Sequence, residues 1–381
     1  MELYETGNPI EVVLKNKANV LRLPFGGGAE LLPLCNMKCN MCFVRKDKAD
    51  FLSAEEWIRI GESARDAGTL MMLLTGGEPL MHPGFREIYI AYQKMGLVVN
   101  VNTNGTLIDE KWADFFDQNR CRRINITLYG AGRETYGKLC GYPEGFDRTV
   151  NSLKLLKERD IPCRVNMTMV KENRDDLAEM IKLVKELGLE AVQVTYEFPP
   201  ERGGCKKSFE HSRMTPYEAA ETYILNSFLN HPEADRKREA GNFFRQLTGK
   251  YKPIHYSDGF PCTAGKSGFW INWKGELQSC GMIPEPAVSL LEYDFADAWK
   301  QVVEESSDIE TCVECCSCRK KFFCQTCAAA MYAETGDMRK APEYLCRMTD
   351  EMIKIMFSYL DDDEKVKTRD ALEACGLIYD F

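Results

Sequence analysis

Histidine is nearly absent: the chain has four in 381 residues. That leaves little for mixed Cys/His zinc sites or for imidazole-bound iron. A basic excess is absent too. With a net charge of −9, no basic field is available to replace the counterions of a nucleic acid, which argues against a nucleic-acid partner. No apolar run approaches the roughly 20 residues that span a bilayer; Leu70-Met71-Met72-Leu73-Leu74 is among the longest. The start, Met1-Glu2-Leu3-Tyr4, has neither a positive n-region nor an apolar h-region. These absences predict a cytoplasmic protein with no membrane partner.

Cysteine, in contrast, is abundant, at seventeen residues. In a secreted chain that number reads as a disulfide framework. In a reducing cytosol, clustered thiols read as metal or redox ligands. Three of them, Cys35, Cys39 and Cys42, follow the apolar run Leu31-Leu32-Pro33-Leu34 with the spacing C-x3-C-x2-C. Three close thiolates suit a four-iron cluster with one iron left open, since four would close it. An open iron implies chemistry at that iron, as an open position does in a catalytic zinc site. A structural zinc knuckle is the alternative, but it needs a fourth Cys or His nearby, and none lies within the next twenty residues.

From about residue 29 to 200, short apolar runs alternate with longer amphipathic stretches. The pattern predicts strands over Glu30–Leu34, Leu70–Thr75, Leu97–Thr103, Arg123–Leu128, Cys163–Val170 and Ala191–Tyr196. It predicts helices over Ala54–Ala67, Phe85–Met95, Glu110–Asp117, Phe146–Arg159 and Asp175–Leu187. Ser53 is placed to cap the first of these, and Gly68, Gly96 and Gly188 stand where helix C-caps belong. Strands alternating with helices imply an α/β fold with a parallel sheet of βα units. Chemistry in such sheets belongs on the loops after the strand C-termini. Cys35, Gly76 and Asn104 all fall there. Gly26-Gly27-Gly28 precedes a predicted strand instead of joining a strand to a helix, so it is not read as a phosphate cradle.

Pro199 to Gly204 breaks the alternation, and Tyr217–Leu247 reads as charged and helical. From about Tyr251 regular periodicity fades and cysteines crowd. The expected organisation is a first domain over 1–215, a helical bridge over 216–252, and a second domain over 253–381 with an amphipathic helix around Ala341–Leu360. The acidic run Asp361–Glu364 is expected to be a solvated segment. Cys121, Cys163, Cys205 and Cys375 are expected to be ordinary buried thiols.

Two further motifs follow strands. Thr75-Gly76-Gly77-Glu78-Pro79 combines glycines, which let backbone approach a ligand closely, with a carboxylate acceptor. An ammonium group is the natural partner for that mix. Asn100-Val101-Asn102-Thr103-Asn104-Gly105 offers amides suited to ribose hydroxyls or a carboxylate. The last part of the chain carries Cys262, Cys280, Cys315-x2-Cys318-x5-Cys324-x2-Cys327 and Cys346. The five-residue gap between the CxxC pairs is too tight for two zinc ribbons, which want about 15–20 residues. Two clusters fit the count better.

The cysteine loop, Gly76–Pro79 and Asn102–Gly105 together resemble the radical S-adenosylmethionine (radical SAM) family. The C-terminal array resembles its seven-cysteine SPASM domain, with two residues between Cys324 and Cys327 where relatives have three. The resemblance runs from about Leu31 to Cys346. It implies a partial (β/α)6 barrel followed by a small cysteine-rich domain. It also implies three [4Fe–4S] clusters and S-adenosylmethionine (SAM). Cys35, Cys39 and Cys42 would hold the catalytic cluster. Gly76, Gly77, Glu78 and Pro79 would bind the SAM amino group, with Asn102, Asn104 and Thr127 near its other parts. The family's Ser-Leu-Asp-Gly reads Thr127-Leu128-Tyr129-Gly130 here, and Cys140 stands where relatives carry Arg. Arg164 is the substitute cation expected to meet the SAM carboxylate.

By the same resemblance Cys262, Cys280 and Cys327 would hold a first auxiliary cluster, and Cys315, Cys318, Cys324 and Cys346 a second. The first then has three thiolates. Either Cys312 or Cys316 closes it, with Cys312 preferred, or its iron is open to substrate. The implied activity is reductive SAM cleavage to a 5′-deoxyadenosyl radical, followed by hydrogen abstraction from a peptide. The product would be an oxidative thioether or carbon–carbon cross-link in a ribosomally made peptide. A flavodoxin- or ferredoxin-type electron donor is implied. Only 34 residues precede Cys35, too few for the N-terminal recognition domain of many peptide maturases, so leader recognition is expected to use a separate leader-recognition protein or another surface. Gly281-Met282 follows Cys280 where sulfatase maturases place an Asp base. Sulfatase-type maturation and small-molecule dehydrogenation remain alternatives, as does a non-catalytic iron–sulfur electron carrier. The catalytic acid or base is unassigned.

Overall fold

The computed structural model describes residues 9–195, 211–229, 235–250, 259–324 and 326–381. Four expectations fall outside them: the Tyr196 end of the sixth strand, the break at 199–204, the thiol Cys205, and the boundary near Tyr251.

Nine strands form one open sheet in the order β6-β5-β4-β3-β2-β1-β7-β8-β9. They are β1 (Gly26–Glu30), β2 (Met71–Thr75), β3 (Val98–Thr103), β4 (Arg123–Thr127), β5 (Cys163–Met169), β6 (Glu190–Thr195), β7 (Gly268–Ile271), β8 (Glu276–Gln278) and β9 (Ala287–Ser289). All neighbours from β6 through β1 to β7 run parallel. The β7–β8 and β8–β9 pairs are antiparallel. With β6 and β9 as its edges, the sheet is a partial barrel, not a closed one.

The expected helices are present as α2 (Ala54–Asp66), α3 (Phe85–Lys94), α4 (Glu110–Gln118), α6 (Gly145–Glu158) and α7 (Leu177–Glu186). Ser53 caps α2 in a full capping box with Glu56, and Gly68, Gly96 and Gly188 all take positive φ just beyond helix ends. Before β6 two helices were not expected, α1 (Pro9–Leu21) and α5 (Arg133–Cys140). The bridge resolves into α8 (Pro216–Leu229) and α9 (Arg236–Thr248). Beyond β9 come α10 (Phe295–Ser307), α11 (Val313–Ser317), α12 (Ala328–Thr335), α13 (Glu343–Ser358) and α14 (Asp362–Ala374). Asp361, Asp362 and Asp363 are exposed, as expected, and Glu364 is half-buried, but the run also starts α14: Asp361 accepts from the Glu364 amide and caps the helix.

The first strand lies upstream of its expected place, and the glycine run is the strand itself. Gly28 pairs with Leu73 on one side and Trp270 on the other. A Cβ on Gly28 would come within 2.4 Å of the Trp270 ring, and one on Gly27 within 2.3 Å of Phe269. The missing side chains thus make room for two aromatic residues of β7, one on each face.

Along β3 the buried residues Val99 and Val101 alternate with half-buried Asn100 and Asn102. The apolar set packs in one core with Trp57, Tyr89 and Tyr92 of α2 and α3. The asparagines belong to the other face, inside the partial barrel. The C-terminal helices are tied to the barrel side: Tyr344 of α13 donates to the Met214 carbonyl at 2.7 Å, and Tyr359 meets Phe228 of α8 edge-on at 4.8 Å. No helix among the described residues is long and apolar enough to cross a membrane.

Candidate functional site

The chain after β1 continues alongside the loop after β2. The Gly77 amide donates to the Leu32 carbonyl at 2.8 Å, and the Glu78 amide to Leu34 at 2.9 Å. A Cβ on Gly76 would stand 2.4 Å from the Leu32 oxygen, and one on Gly77 2.2 Å from the Leu34 oxygen. Only glycine permits this approach, and Gly76 also has φ +139°. The glycine pair therefore fastens its own loop to the segment that leads into Cys35.

The cysteine loop is docked at its other end on α5. The Lys38 and Asn40 amides donate to the Cys140 and Leu139 carbonyls at 2.8 and 2.9 Å. Asn36 donates to Thr106 at 2.8 Å, and Asn104 Nδ2 donates to Asn36 at 2.9 Å and reaches Cys35 Sγ at 3.7 Å. Loops after β1, β2 and β3 thus lock into one unit.

Cys35, Cys39 and Cys42 share the wall of one cavity of about 280 Å³ with Glu30, Phe43, Gly76, Gly77, Asn102, Thr103, Asn104, Thr127, Tyr129 and Trp270. The Met37 amide points at Cys35 Sγ (3.4 Å) and the Arg45 amide at Cys42 Sγ (3.2 Å). Burial pushes the Cys35 and Cys42 thiols up. A hydrogen bond donated to Cys140, then burial, does the same for Cys39. Iron must displace those protons when it binds. Three buried thiols on one wall, with amide donors facing two sulfurs, are a donor set that can hold an iron–sulfur cluster with one iron unligated by protein. Among the described residues no three Cys, His, Asp or Glu side chains converge tightly enough to grip a single ion. A four-iron cluster spreads its thiolates over separate irons and asks for a wider triangle.

The SAM candidates divide. Gly76, Gly77, Asn102, Asn104 and Thr127 line the cavity; Glu78, Pro79 and Arg164 stand off it. Glu78 is fully buried, and its carboxylate accepts from Thr103 Oγ1 (2.7 Å), the Asn104 amide (2.8 Å) and the Leu80 amide (3.1 Å). It pins the β2 loop to the β3 loop from behind. Burial pushes its pKa up to about 7. Arg164 pairs across the sheet with Asn125, two rungs below the Thr127–Asn166 pair. Asn166, not Arg164, reaches the cavity wall.

Sequence reasoning missed several wall residues. Tyr129, noted only as a departure from the family pattern, hydrogen-bonds Cys39 and has its hydroxyl pKa driven well up by burial and the neighbouring thiols. Cys140 is buried against the same thiol. Glu30 is a fully buried carboxyl on the cavity wall. Nothing in Gly-Gly-Gly-Ala-Glu marks it, since β1 has no apolar alternation.

A second cavity, of about 530 Å³, shares Phe43 and Trp270 with the first and reaches Cys262 and Cys280. Cys280 and Cys327 pack against one apolar cluster of Phe260, Ile283, Ala328 and Ala329. Cys315, Cys318, Cys324 and Cys346 lie within electrostatic reach of one another. Cys312 hydrogen-bonds Cys315, so the residue preferred for closing the first auxiliary set stands against the second. Cys121 is buried, while Cys163 and Cys375 are half-buried, Cys375 approaching the Thr248 carbonyl.

Residues 30–184 match the model of the radical SAM superfamily. The chain carries a radical SAM domain. Such a domain works with a four-iron cluster and SAM, and its role is catalytic. The radical SAM chain is 27% identical over 335 residues to an AdoMet-dependent heme synthase of Methanosarcina barkeri, covering 83% of this chain and 94% of the relative. It is 24% identical over 277 residues to the sporulation killing factor maturation protein SkfB of Bacillus subtilis, covering 72% and 64%. In fold it is similar to Streptococcus suis SuiB, solved bound to the precursor peptide SuiA. The TM-score is 0.66 at 19% identity, over 90% of this chain and 82% of that one.

Proposed function

We propose that this radical SAM enzyme oxidises a peptide, forming a thioether or carbon–carbon cross-link. Cys35, Cys39 and Cys42 would hold the catalytic cluster. When bound, that cluster supplies the electron that cleaves SAM and so yields the hydrogen-abstracting radical. Gly76 and Gly77 would present backbone to the SAM amino group, with Asn102, Asn104 and Thr127 on the walls around it. Glu78 would act from behind, holding that wall in place. Cys262, Cys280 and Cys327 would form a first auxiliary set, and Cys315, Cys318, Cys324 and Cys346 a second, in a SPASM-like region. A flavodoxin- or ferredoxin-type donor and a separate leader-recognition protein would be its partners.

The observation that carries this reading is that two cavities adjoin. Phe43 and Trp270 line both the space beside Cys35, Cys39 and Cys42 and the space beside Cys262 and Cys280. Neighbouring spaces, one beside a radical source and one beside a second thiol set, suit a chain-like substrate laid across both. SkfB is named for peptide maturation and SuiB was solved with a precursor peptide, which supports the same reading.

A second reading, oxidation of a tetrapyrrole, is favoured by one observation. The likeness to the heme synthase spans nearly the whole relative, whereas that to SkfB spans 64% of it. Reconstituted protein, SAM and dithionite, mixed anaerobically with short cysteine-containing peptides or with an iron tetrapyrrole, separate the two. Peptide-stimulated 5′-deoxyadenosine formation with a two-hydrogen mass loss is expected, and stimulation by the tetrapyrrole alone selects the second reading. Replacing Cys35, Cys39 and Cys42 together by Ala is expected to remove about a third of roughly twelve irons and all SAM cleavage. Retained cleavage refutes the assignment of the catalytic set.

A further inference from the structure

The three sulfurs on the wall of the smaller cavity meet different donors. Main-chain amides face two of them, Met37 at Cys35 Sγ (3.4 Å) and Arg45 at Cys42 Sγ (3.2 Å). Against Cys39 stand two side chains, the Tyr129 hydroxyl and the Cys140 thiol. Both are residues at which the chain departs from the family's pattern. One lies in the loop after β4 and the other is the last residue of α5, and the fold brings them to one sulfur.

Each is held there by bonds of its own. The Tyr129 amide donates to the Tyr136 hydroxyl at 3.2 Å, and the Tyr129 carbonyl accepts from Asn173 Nδ2 at 2.9 Å. The two tyrosine rings meet edge-on at 6.1 Å. Tyr129 shares the cavity wall with Cys35, Cys39 and Cys42, and its hydroxyl is within electrostatic reach of all three and of Cys140. Cys140 is fully buried. The Lys38 and Asn40 amides, on either side of Cys39, donate to the Cys140 and Leu139 carbonyls at 2.8 and 2.9 Å. Residues 39 and 140 are therefore kept adjacent by main chain alone. Iron binding fixes the direction of the side-chain bonds. In the metal-free chain Cys39 donates to Cys140. A thiolate on iron has no proton left and only accepts, so Tyr129 O–H and Cys140 S–H are the donors that remain. A donor aimed at a ligand sulfur stabilises negative charge, and a reduced cluster carries more of it than an oxidised one. Hydrogen bonds to the sulfurs accordingly raise a cluster's reduction potential.

We propose that Tyr129 and Cys140 are positioning residues that act through Cys39: both donate to this ligand sulfur and so raise the reduction potential of the catalytic cluster. A hydroxyl is the stronger donor and a thiol a weak one, so Tyr129 carries the larger share. The inference rests on the assignment of Cys35, Cys39 and Cys42 to that cluster, and it adds which side chains set how readily the cluster takes up its electron.

The test is a redox titration of the reconstituted full chain followed by electron paramagnetic resonance, with and without SAM. The signal that changes on adding SAM marks the catalytic cluster. Tyr129→Phe removes the hydroxyl and keeps the ring. At a fixed potential it is expected to raise the oxidised-to-reduced ratio of that signal about 5-fold, the effect of one net hydrogen bond, or about 40 mV at about 59 mV per tenfold. Cys140→Ala is expected to move the midpoint the same way by about 2-fold, a thiol being the weaker donor. Cys140→Ser keeps a donor and is expected to hold the midpoint at or above the wild-type value. Iron content and the remaining signals are expected to stay unchanged in all three. An unmoved midpoint in Tyr129→Phe overturns the proposal for the hydroxyl, and one in Cys140→Ala overturns it for the thiol. Iron lost from a variant with no shift in the signal that remains makes that residue a brace and not a donor to the ligand. In each of these cases the cluster assignment stands. If no signal responds to SAM, or if the responsive one survives replacement of Cys35, Cys39 and Cys42 by Ala, the catalytic assignment falls and this inference with it.

Discussion

Glu78 shows how a motif residue can be read correctly in kind and misplaced in geometry. Its carboxylate is an acceptor, as the Gly-Gly-Glu-Pro pattern implies, but its hydrogen bonds go to Thr103, Asn104 and Leu80. One-dimensional spacing cannot reveal that a side chain turns away from the cavity its backbone borders. A pH dependence follows. Burial raises the folded-state pKa to about 7 from an ordinary 4.5, so the folded chain holds a proton that the unfolded chain has released. Stability of the metal-free protein therefore falls as pH rises from about 4.5 to about 7, by about 3 kcal/mol for this group, and levels off above. Buried His82, with its pKa lowered by burial, contributes the opposite slope below its ordinary value. The quantity to measure is thus the difference between wild type and Glu78→Gln in urea melts across that range. Glu78→Gln is expected to lose a hydrogen bond at pH 5 and to recover relative to wild type by pH 8. A difference independent of pH contradicts the assignment.

At the scale of elements, the alternation of strands and helices from β2 to β6 was legible within a residue or two, because β2 to β5 each have a buried apolar set and most of the helices a capping side chain or a glycine at the end. Other elements were not, β1, α1 and β7–β9 among them. β1 is Gly-Gly-Gly-Ala-Glu, with no β-branched residue; it is a strand because Phe269 and Trp270 fill the faces its side chains leave bare. α1 keeps Ile10, Val13, Leu14, Val20 and Leu21 exposed, so its apolar positions do not mark a buried face. β7–β9 are three or four residues each, too short for a periodic signal. The β1 account makes a comparison possible. Gly28→Ala is expected to destabilise by about 1–3 kcal/mol through overpacking and to shift tryptophan emission as the Trp270 ring moves. Gly68→Ala meets nothing within 4 Å but must adopt φ +104°, so it is expected to cost about 1 kcal/mol of backbone strain with no spectral change. Emission unchanged in Gly28→Ala would mean that Trp270 does not rest on β1.

For the whole molecule, the thiols fall into groups by position. The Cys35–Cys42 loop is built into the β1, β2 and β3 loops. Cys315, Cys318, Cys324 and Cys346 gather instead around the short helices α11 and α12 and the start of α13, where Lys320 reaches Asp350 at 2.7 Å. The number of thiols in this second group was legible in the sequence. Cys312's contact with Cys315 was not, since residues three apart also suit the other set. If the four thiols hold iron as proposed, removing two of them leaves the barrel loops untouched. The double variant Cys324→Ser, Cys346→Ser is therefore expected to lose about four of roughly twelve irons and to keep dithionite-driven 5′-deoxyadenosine formation near the wild-type rate. Product formation should fall by at least tenfold, because the substrate radical loses an electron acceptor. Iron analysis and the ratio of product to 5′-deoxyadenosine check this. Full iron retention would remove these residues from the ligand set. Lost iron with an unchanged ratio would make the second set a structural brace, leaving the thiols beside the shared cavity, Cys262 and Cys280, as the route by which the electron leaves.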